Sequence, residues 1–449
     1  MFSFDRCESA RIQQLVLGIS VKMALFKPGV MSSTSSKHQT FNDLPYLAAM
    51  RKTVVHLILI LILGGLVNGC IPRHANILSL GAMKNAEFKD TVSTEVSNGL
   101  IIVPVMIRGE TYRFLFDTGA PLSISHQIQQ KHGFKRISKG HIVDSDQNRQ
   151  KIQYVQVDSL KIADIPFYGQ TAFVADFRAN PVLECLQLDG ILGSNLMRYC
   201  NWTIDYETSQ LIFASALDST SYSQLPSLPF RYDRQFDLMV DLSIGNKPLK
   251  NLEVDYGSNG VLMIPEEIFD TLQLAGIITE PFHTVGQKQS GLIGEAVKTE
   301  QRIAFGDSLV IGDVILDDIM IRSGRKGLIG HDILSRFIVS IDSKRELLYL
   351  QKKELKSDNR SFGFVLQPDD QSPGLRVQRL VEGSPAEQAG LQIGTLVIKI
   401  NDLDLTKESA FCDYVSMMNV PPDSLVITYA GKNSLTSTIT IRRERLRHR

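Results

Sequence analysis

The sequence predicts a mainly β protein in which two similar β-barrel lobes precede a smaller third domain. The first observation is a repeated tripeptide: Asp117-Thr118-Gly119 and Asp255-Tyr256-Gly257 each follow a short apolar strand, 255 − 117 = 138 residues apart. The second is a glycine box. GILG at 190–193 begins 190 − 117 = 73 residues after the first Asp, and GLIG at 327–330 begins 327 − 255 = 72 after the second. Packed elements keep their spacing whereas loops drift in length, so these distances indicate an internal duplication.

Composition sets the broad class. Of 449 residues, 43% are hydrophobic and 21% charged, which is ordinary for a globular protein of about three domains. The 48 basic and 48 acidic residues balance, so the bulk charge does not favour a nucleic-acid partner.

The N-terminal region predicts a lipoprotein signal. Residues 1–49 carry no motif, and we expect them to lie upstream of the mature protein. Residues 50–69 combine a basic start (Met50-Arg51-Lys52) with an apolar core over 54–67, which is 67 − 54 + 1 = 14 residues and too short to span a bilayer of ~20 residues. VNGC at 67–70 resembles the bacterial lipobox, which implies lipidation of Cys70. A short buried helix is the alternative.

The prediction that follows is a location in the bacterial cell envelope, periplasmic or associated with the outer membrane. A lipid anchor would hold the chain to the membrane, and residues 70–95 would form a tether.

Lobe 1 is predicted over 96–220. Alternating strands at 100–107 and 112–116 form a hairpin that delivers Asp117, and a second hairpin spans 202–213. The polar run 144–151 is the expected tip of a flap. Lobe 2, over 221–352, repeats the first hairpin with 236–244 and 252–254, and the glycine-rich run 289–294 suits a mobile lid.

From about 97 to 350 the chain resembles the aspartic proteases, in which two lobes each bring an Asp-Thr/Ser-Gly to a shared cleft. The resemblance implies an endopeptidase in which Asp117 and Asp255 share one proton and activate a water. Thr118, Gly119 and Ala120 in lobe 1, and Gly257 and Ser258 in lobe 2, would support the pair. Ser258 can donate a hydrogen bond to Asp255 whereas Ala120 cannot do so for Asp117, which predicts that the proton rests on Asp117.

Tyr256 departs from the family pattern. The family has Thr or Ser after the catalytic Asp, and that hydroxyl bonds to the opposite loop. Thr118 keeps this group and Tyr256 does not. Catalysis is sensitive to misplacement of about 1 Å, so a catalytically impaired, peptide-binding protein with a protease fold is the alternative function.

Residues 361–444 resemble a PDZ domain, a β-sandwich with two helices. The pattern is carried by Ser384-Pro385-Ala386 and Ala389-Gly390-Leu391, and a groove helix is expected at 409–418. The resemblance implies that Phe362, Gly363 and Phe364 bind the carboxylate of a peptide C-terminus. A spacer domain with an empty groove and a purely PDZ-driven adaptor are the alternatives.

The remaining expectations concern cysteines, ligands and the tail. Cys185 and Cys200 bracket the first glycine box; we expect two buried free thiols, with a disulfide between them as the alternative. No spacing suggests a metal site or a cofactor, and the predicted partners are protein or peptide substrates. The basic tail 442–449 is expected to be a solvated end.

Overall fold

The structure is a computed structural model that describes residues 77–84, 87–143, 148–288, 297–354, 358–369, 371–431 and 436–446. Several predicted features lie outside the described residues: the upstream segment, the signal, Cys70, the start of the tether, positions 144–147 of the flap tip, the lid at 289–294 and the end of the tail. No helix in the described ranges is long and apolar enough to cross a membrane.

The described protein is mainly β, as the sequence predicts, with protease-like lobes and a PDZ domain. The strands and helices of the lobe 1 region are β1 (Ala82–Met83), β2 (Lys89–Ser93), β3 (Glu95–Ser97), β4 (Leu100–Ile107), β5 (Glu110–Asp117), β6 (Ser123–Ser125), α1 (His126–His132), β7 (Lys135–Val143), β8 (Arg149–Ile162), β9 (Ile165–Ala175), α2 (Pro181–Cys185), β10 (Gly190–Gly193), α3 (Ser194–Met197), β11 (Asn201–Asp205) and β12 (Gln210–Ala214). Nine of these strands form the lobe 1 sheet, β1-β9-β6-β10-β5-β4-β8-β7 with β3 beside β4, and an additional β8–β9 pairing links two of its outer strands.

Lobe 2 repeats this arrangement. Its elements are α4 (Ser219–Tyr222), β13 (Ser227–Tyr232), β14 (Leu238–Ile244), β15 (Lys247–Val254), β16 (Leu262–Pro265), α5 (Glu266–Leu274), β17 (Phe282–Lys288), β18 (Val297–Lys298), β19 (Gln301–Gly306), β20 (Leu309–Ile311), β21 (Val314–Leu316), β22 (Ile319–Gly324), β23 (Leu328–Ile329), α6 (His331–Leu334), β24 (Phe337–Asp342) and β25 (Leu347–Lys352).

The duplication is visible in the strand register. In lobe 1 the glycine box is β10, which lies parallel to β5 with Leu192 opposite Phe116. In lobe 2 the box contains β23, which lies parallel to β15 with Ile329 opposite Val254. Each box therefore supports the strand that ends at the Asp, and this shared pairing explains why both spacings were preserved.

A six-stranded antiparallel sheet joins the lobes in the order β2-β12-β11-β24-β25-β13. Its central pair sets Trp202 of β11 opposite Ile341 of β24. Trp202 is fully buried, stacks on Phe213 at 5.2 Å and meets the edge of Phe116 at 5.5 Å. One hydrophobic core thus runs from the interlobe sheet to the strand that carries Asp117.

The C-terminal domain has its own core. Its elements are β26 (Arg360–Ser361), β27 (Phe364–Pro368), β28 (Leu375–Val381), α7 (Pro385–Gln388), β29 (Leu396–Ile400), β30 (Leu403–Asp404), α8 (Ala410–Met417), β31 (Ser424–Ala430), β32 (Thr436–Arg442) and β33 (Glu444–Arg445).

Two links fix this domain to both lobes. On the lobe 2 side, β17 pairs antiparallel with β28, with Val285 opposite Leu380, so one sheet continues across the boundary. On the lobe 1 side, a disulfide joins Cys185 at the end of α2 to Cys412 on α8, across 227 residues of sequence.

This disulfide corrects the expectation for Cys185, which is neither a free thiol nor the partner of Cys200. Cys200 is the buried free thiol that the sequence led us to expect. Burial in an apolar site raises the pKa of its thiol well above the ordinary range. Sequence spacing does not predict this pairing, because the two sulfurs are brought together only by the packing of α8 against α2.

The disulfide should stabilise the fold. Replacing both Cys185 and Cys412 by Ser frees the unfolded chain from a long closed loop, so we expect the free energy of unfolding to fall by about 2–5 kcal/mol. Urea titration measures this loss, and reductant should reproduce it in the native chain. Cys200→Ala is the control, because its smaller cost should not depend on reductant. Equal stability of the double variant and the native chain would contradict the prediction.

Candidate active site

Asp117 and Asp255 come together where the two lobes meet. Asp117 is the last residue of β5, and Asp255 follows β15, the corresponding strand of lobe 2. Their exposed fractions are 5% and 3%, and a hydrogen bond joins the two side chains. The structure therefore brings the two predicted carboxyl groups into direct contact.

The two glycines make this contact possible. A Cβ on Gly119 would lie 3.0 Å from Cγ of Asp255, and one on Gly257 would lie 2.6 Å from Oδ1 of Asp117. Each glycine thus packs against the aspartate of the opposite lobe, where no side chain fits. The Gly119 N–H also donates to Asp117 Oδ1 at 2.7 Å.

Burial and mutual repulsion keep a proton on this pair. Burial, followed by the charge of Asp255, raises the pKa of Asp117 to about 7. Burial also raises the pKa of Asp255, while the hydrogen bond from Asp117 partly offsets this effect. Two carboxyl groups in contact ionise one after the other, and we assign the retained proton to Asp117.

Thr118 fastens the two loops to each other. Its Oγ1 donates to the carbonyl of Val254 at 2.5 Å and accepts the backbone N–H of Tyr256 at 3.1 Å. All three groups are buried. This is the crossing hydrogen bond that the sequence predicts for Thr118.

Tyr256 replaces the second crossing bond with aromatic packing. Its ring is fully buried, meets the edge of Phe116 at 5.6 Å and stacks on Tyr206 at 6.1 Å. Its hydroxyl has no hydrogen-bond partner among the described residues. The ring belongs to the core shared by the lobes, and the backbone N–H of Tyr256 still donates to Thr118 Oγ1.

Of the two residues that follow the loop glycines, Ser258 differs from expectation and Ala120 does not. Ala120 is fully buried, and its carbonyl accepts the N–H of Ser194 at 2.9 Å. Ser258 Oγ accepts the N–H of Gly260 at 3.3 Å, and within the described chain no hydrogen bond joins it to the Asp255 carboxyl. The predicted direction of the asymmetry agrees with the pKa of Asp117, but Ser258 is not its cause here.

Three charged residues beside the dyad were missed by the sequence analysis. Glu253 and Asp237 are buried, and Lys326 Nζ pairs with Glu253 Oε2. Burial raises the pKa of Glu253 to about 7, and burial followed by Glu253 raises that of Asp237 well above its ordinary range. A Glu inside the apolar strand LEVD was the available signal, because an unpaired charge there is costly.

Of the three predicted PDZ residues, Phe362 and Gly363 lie in the loop before β27, and Phe364 is the first residue of that strand. Phe362 is 3% exposed, and Gly363 has a φ of +84°, with its N–H donating to Ser361 Oγ at 3.0 Å. Across the groove, the backbone of Leu366 on β27 hydrogen-bonds the hydroxyl of Tyr414 on α8. The side chain of Tyr414 therefore links the expected groove helix to β27.

The described ranges contain no cluster of three or more His, Cys, Asp or Glu residues suited to a metal ion.

The crossing bond of Thr118 predicts a measurable stability difference. Thr118→Val keeps the shape but leaves the Val254 carbonyl and the Tyr256 N–H buried without a partner. We expect the free energy of unfolding to fall by about 1–3 kcal/mol. Thr118→Ser keeps the hydroxyl and is the matched control. Equal losses for Val and Ser in urea titrations would show that the hydroxyl does not fasten the loops.

Comparison with known families agrees with this geometry. Residues 103–196, which include β5, Asp117 and the first glycine box, match the aspartyl protease family model. Residues 351–441 match the PDZ domain model. The chain thus carries an aspartyl protease family domain followed by a C-terminal PDZ domain.

Proposed function

We propose that the protein is an aspartic endopeptidase that hydrolyses peptide bonds, with a PDZ domain that docks substrates or C-terminal peptides. The observation that carries the proposal is the buried contact between Asp117 and Asp255, each packed on the glycine of the opposite lobe. Such a pair keeps one shared proton, which is the protonation state that general acid–base hydrolysis requires.

The geometry assigns a role to each carboxyl. Ionised Asp255 takes a proton from a water bound between the two groups, and the water oxygen attacks the peptide carbonyl carbon. Asp117 gives its proton to the carbonyl oxygen, so a neutral diol forms. The proton on Asp255 then passes to the amide nitrogen, the C–N bond breaks, and one diol hydroxyl returns its proton to Asp117. No covalent intermediate and no cofactor take part.

Tyr256 keeps the second candidate open: a peptide-binding protein with a protease fold and impaired catalysis. Only one of the two crossing hydrogen bonds is present, from Thr118, which leaves the Asp255 loop less tightly held. Two facts favour catalysis over this alternative. The Tyr256 ring packs into the core, and the two carboxyls remain hydrogen-bonded in its presence.

The PDZ domain would act from a fixed position. The β17–β28 pairing and the Cys185–Cys412 disulfide attach it to both lobes, so a docked peptide would have a defined orientation toward the cleft. A purely adaptor role would need only the groove of the PDZ domain. It would not account for a buried pair of aspartates that keeps a shared proton.

We propose an envelope location with a lipid anchor at Cys70. Disulfides persist in oxidising compartments such as the bacterial periplasm, and the Cys185–Cys412 bond supports that setting.

Removal of either carboxyl should abolish proteolysis. Asp117→Asn and Asp255→Asn each remove the shared proton, so we expect kcat/KM on an unfolded protein or a peptide library to fall by about 10²–10⁴-fold. Native activity should decline above about pH 7, as Asp117 loses its proton.

Asp164→Asn, in the exposed turn between β8 and β9, is the charge-matched control and should cleave normally. Equal cleavage by native chain and both dyad variants, or none by any of them, would contradict the protease proposal. Binding of C-terminal peptides without turnover would favour the peptide-binding alternative.

The lipid anchor can be tested by mass. The mature protein expressed in a bacterial host should begin at Cys70 and carry acyl chains, and Cys70→Ser should remain unacylated and leave the membrane fraction. An unmodified peptide spanning Gly69 and Cys70 in the mature protein would overturn this part of the proposal.

A further inference from the structure

Glu253 is a third carboxyl group at the dyad. It lies two residues before Asp255, and its exposed fraction is 4%. A Cβ on Gly119 would contact Oε1 of Glu253 and the carboxyl of Asp255 together, so both acids flank the same glycine of lobe 1. Oε1 has no hydrogen-bond partner among the described residues. Burying a carboxylate oxygen without a hydrogen bond costs free energy, so we looked for a role of its charge in the site.

Lys326 opposes the protonation of Glu253 that burial favours. Its ammonium pairs with Oε2 of Glu253, and its side chain is about one-third exposed, at 35%. An adjacent cation favours the ionised form of a carboxyl group. Burial raises the pKa of four nearby acids, and the charge of Lys326 partly offsets each rise. These acids are Glu253, Asp255, Asp117 and Asp237.

Lobe 1 has no counterpart of this pair. In the register of the duplication, the position of Glu253 is filled by Leu115: Leu115 pairs with Ile191, and Glu253 pairs with Leu328. The position before the glycine box, Lys326 in lobe 2, is Asp189, whose carboxylate accepts the N–H of Arg113 at 2.9 Å. The charged pair therefore breaks the symmetry of the site.

The titratable groups around Glu253 come from four segments. Asp117 is at the end of β5 in lobe 1, and Asp255 directly follows β15, the strand that carries Glu253. Asp237, just before β14, interacts with Glu253 and with Asp233. Lys326 is the only cation paired with these acids among the described residues. The excess of acids over cations makes full ionisation of the cluster unfavourable.

We propose that Glu253, paired with Lys326, is a positioning residue that keeps the shared proton on the Asp117–Asp255 pair to a higher pH than the two aspartates alone would allow. A like charge beside the dyad opposes loss of its remaining proton. This inference rests on the proposed endopeptidase function, and it extends the working range of the dyad toward neutral pH.

The Glu253→Gln variant tests the direction in which the pH profile should shift. Glu253→Gln removes the like charge and leaves Lys326 unpaired, and both changes favour ionised aspartates. The alkaline limb of the pH profile of kcat/KM should therefore move to lower pH, on the order of one unit. Glu267→Gln, on the exposed first turn of α5, is the charge-matched control and should leave the profile unchanged. Lys326→Arg keeps the ion pair and should preserve the native profile.

A readout without turnover separates this inference from the proposed function. In protein with ¹³C-labelled Asp and Glu carboxyl carbons, NMR should show the dyad titrating at lower pH in Glu253→Gln than in the native chain. In Lys326→Met, the Glu253 carbon should titrate at higher pH. If native protein shows no proteolysis but the dyad shifts as stated, the protease proposal fails and the role of Glu253 stands.

A second variant covers the case in which Glu253→Gln does not fold. Glu253→Leu installs the residue that lobe 1 carries at this position, and it should shift the dyad in the same direction as Glu253→Gln. If either folded variant titrates as the native chain does, in both the pH profile and the NMR spectra, Glu253 is only a structural ion-pair partner and the inference is overturned.

Discussion

The crosswise contact between each loop glycine and the opposite aspartate is the constraint on which the site depends. Gly119 lies against Asp255, and Gly257 lies against Asp117, so neither lobe can form the site alone. The interlobe sheet and the aromatic core around Trp202 hold the lobes at this separation. Burial then raises the pKa of both aspartates. Two desolvated carboxyl groups in contact therefore retain a proton that either group would lose in water.

The site is symmetric in its backbone and asymmetric in its side chains. Both strands, both glycine boxes and both aspartates repeat. The hydroxyl of Thr118 has no equivalent across the axis, and Glu253 and Lys326 replace an apolar residue and an acid. A duplicated frame therefore places the carboxyls, while side chains that differ between the lobes give the two aspartates unequal surroundings.

The PDZ domain is built into the same assembly. Its sheet continues from β17 of lobe 2, and its groove helix is covalently bound to α2 of lobe 1. The segment after α2 leads within five residues to the box that supports Asp117. The attachment of the groove helix and the support of the strand that carries Asp117 thus share one short stretch of chain.

The sequence by itself determined the duplicated frame, the two aspartates, the hairpins that carry them and the C-terminal domain. These features follow from local rules: alternation of apolar residues, glycine in tight turns and the fixed spacing of packed elements. Thr118 was also predictable, because the resemblance to the aspartic proteases implies its hydrogen bond to the opposite loop.

Only the tertiary structure decided what depends on contacts between distant segments. The partner of Cys185 is 227 residues away, and the ion pair of Glu253 and Lys326 joins β15 to the turn before β23. The orientation of Tyr256 into the core and the engagement of Ser258 with Gly260 likewise depend on surroundings that no spacing reveals. Electrostatic effects and disulfide pairing depend on distance in space, and the sequence gives distance only along the chain.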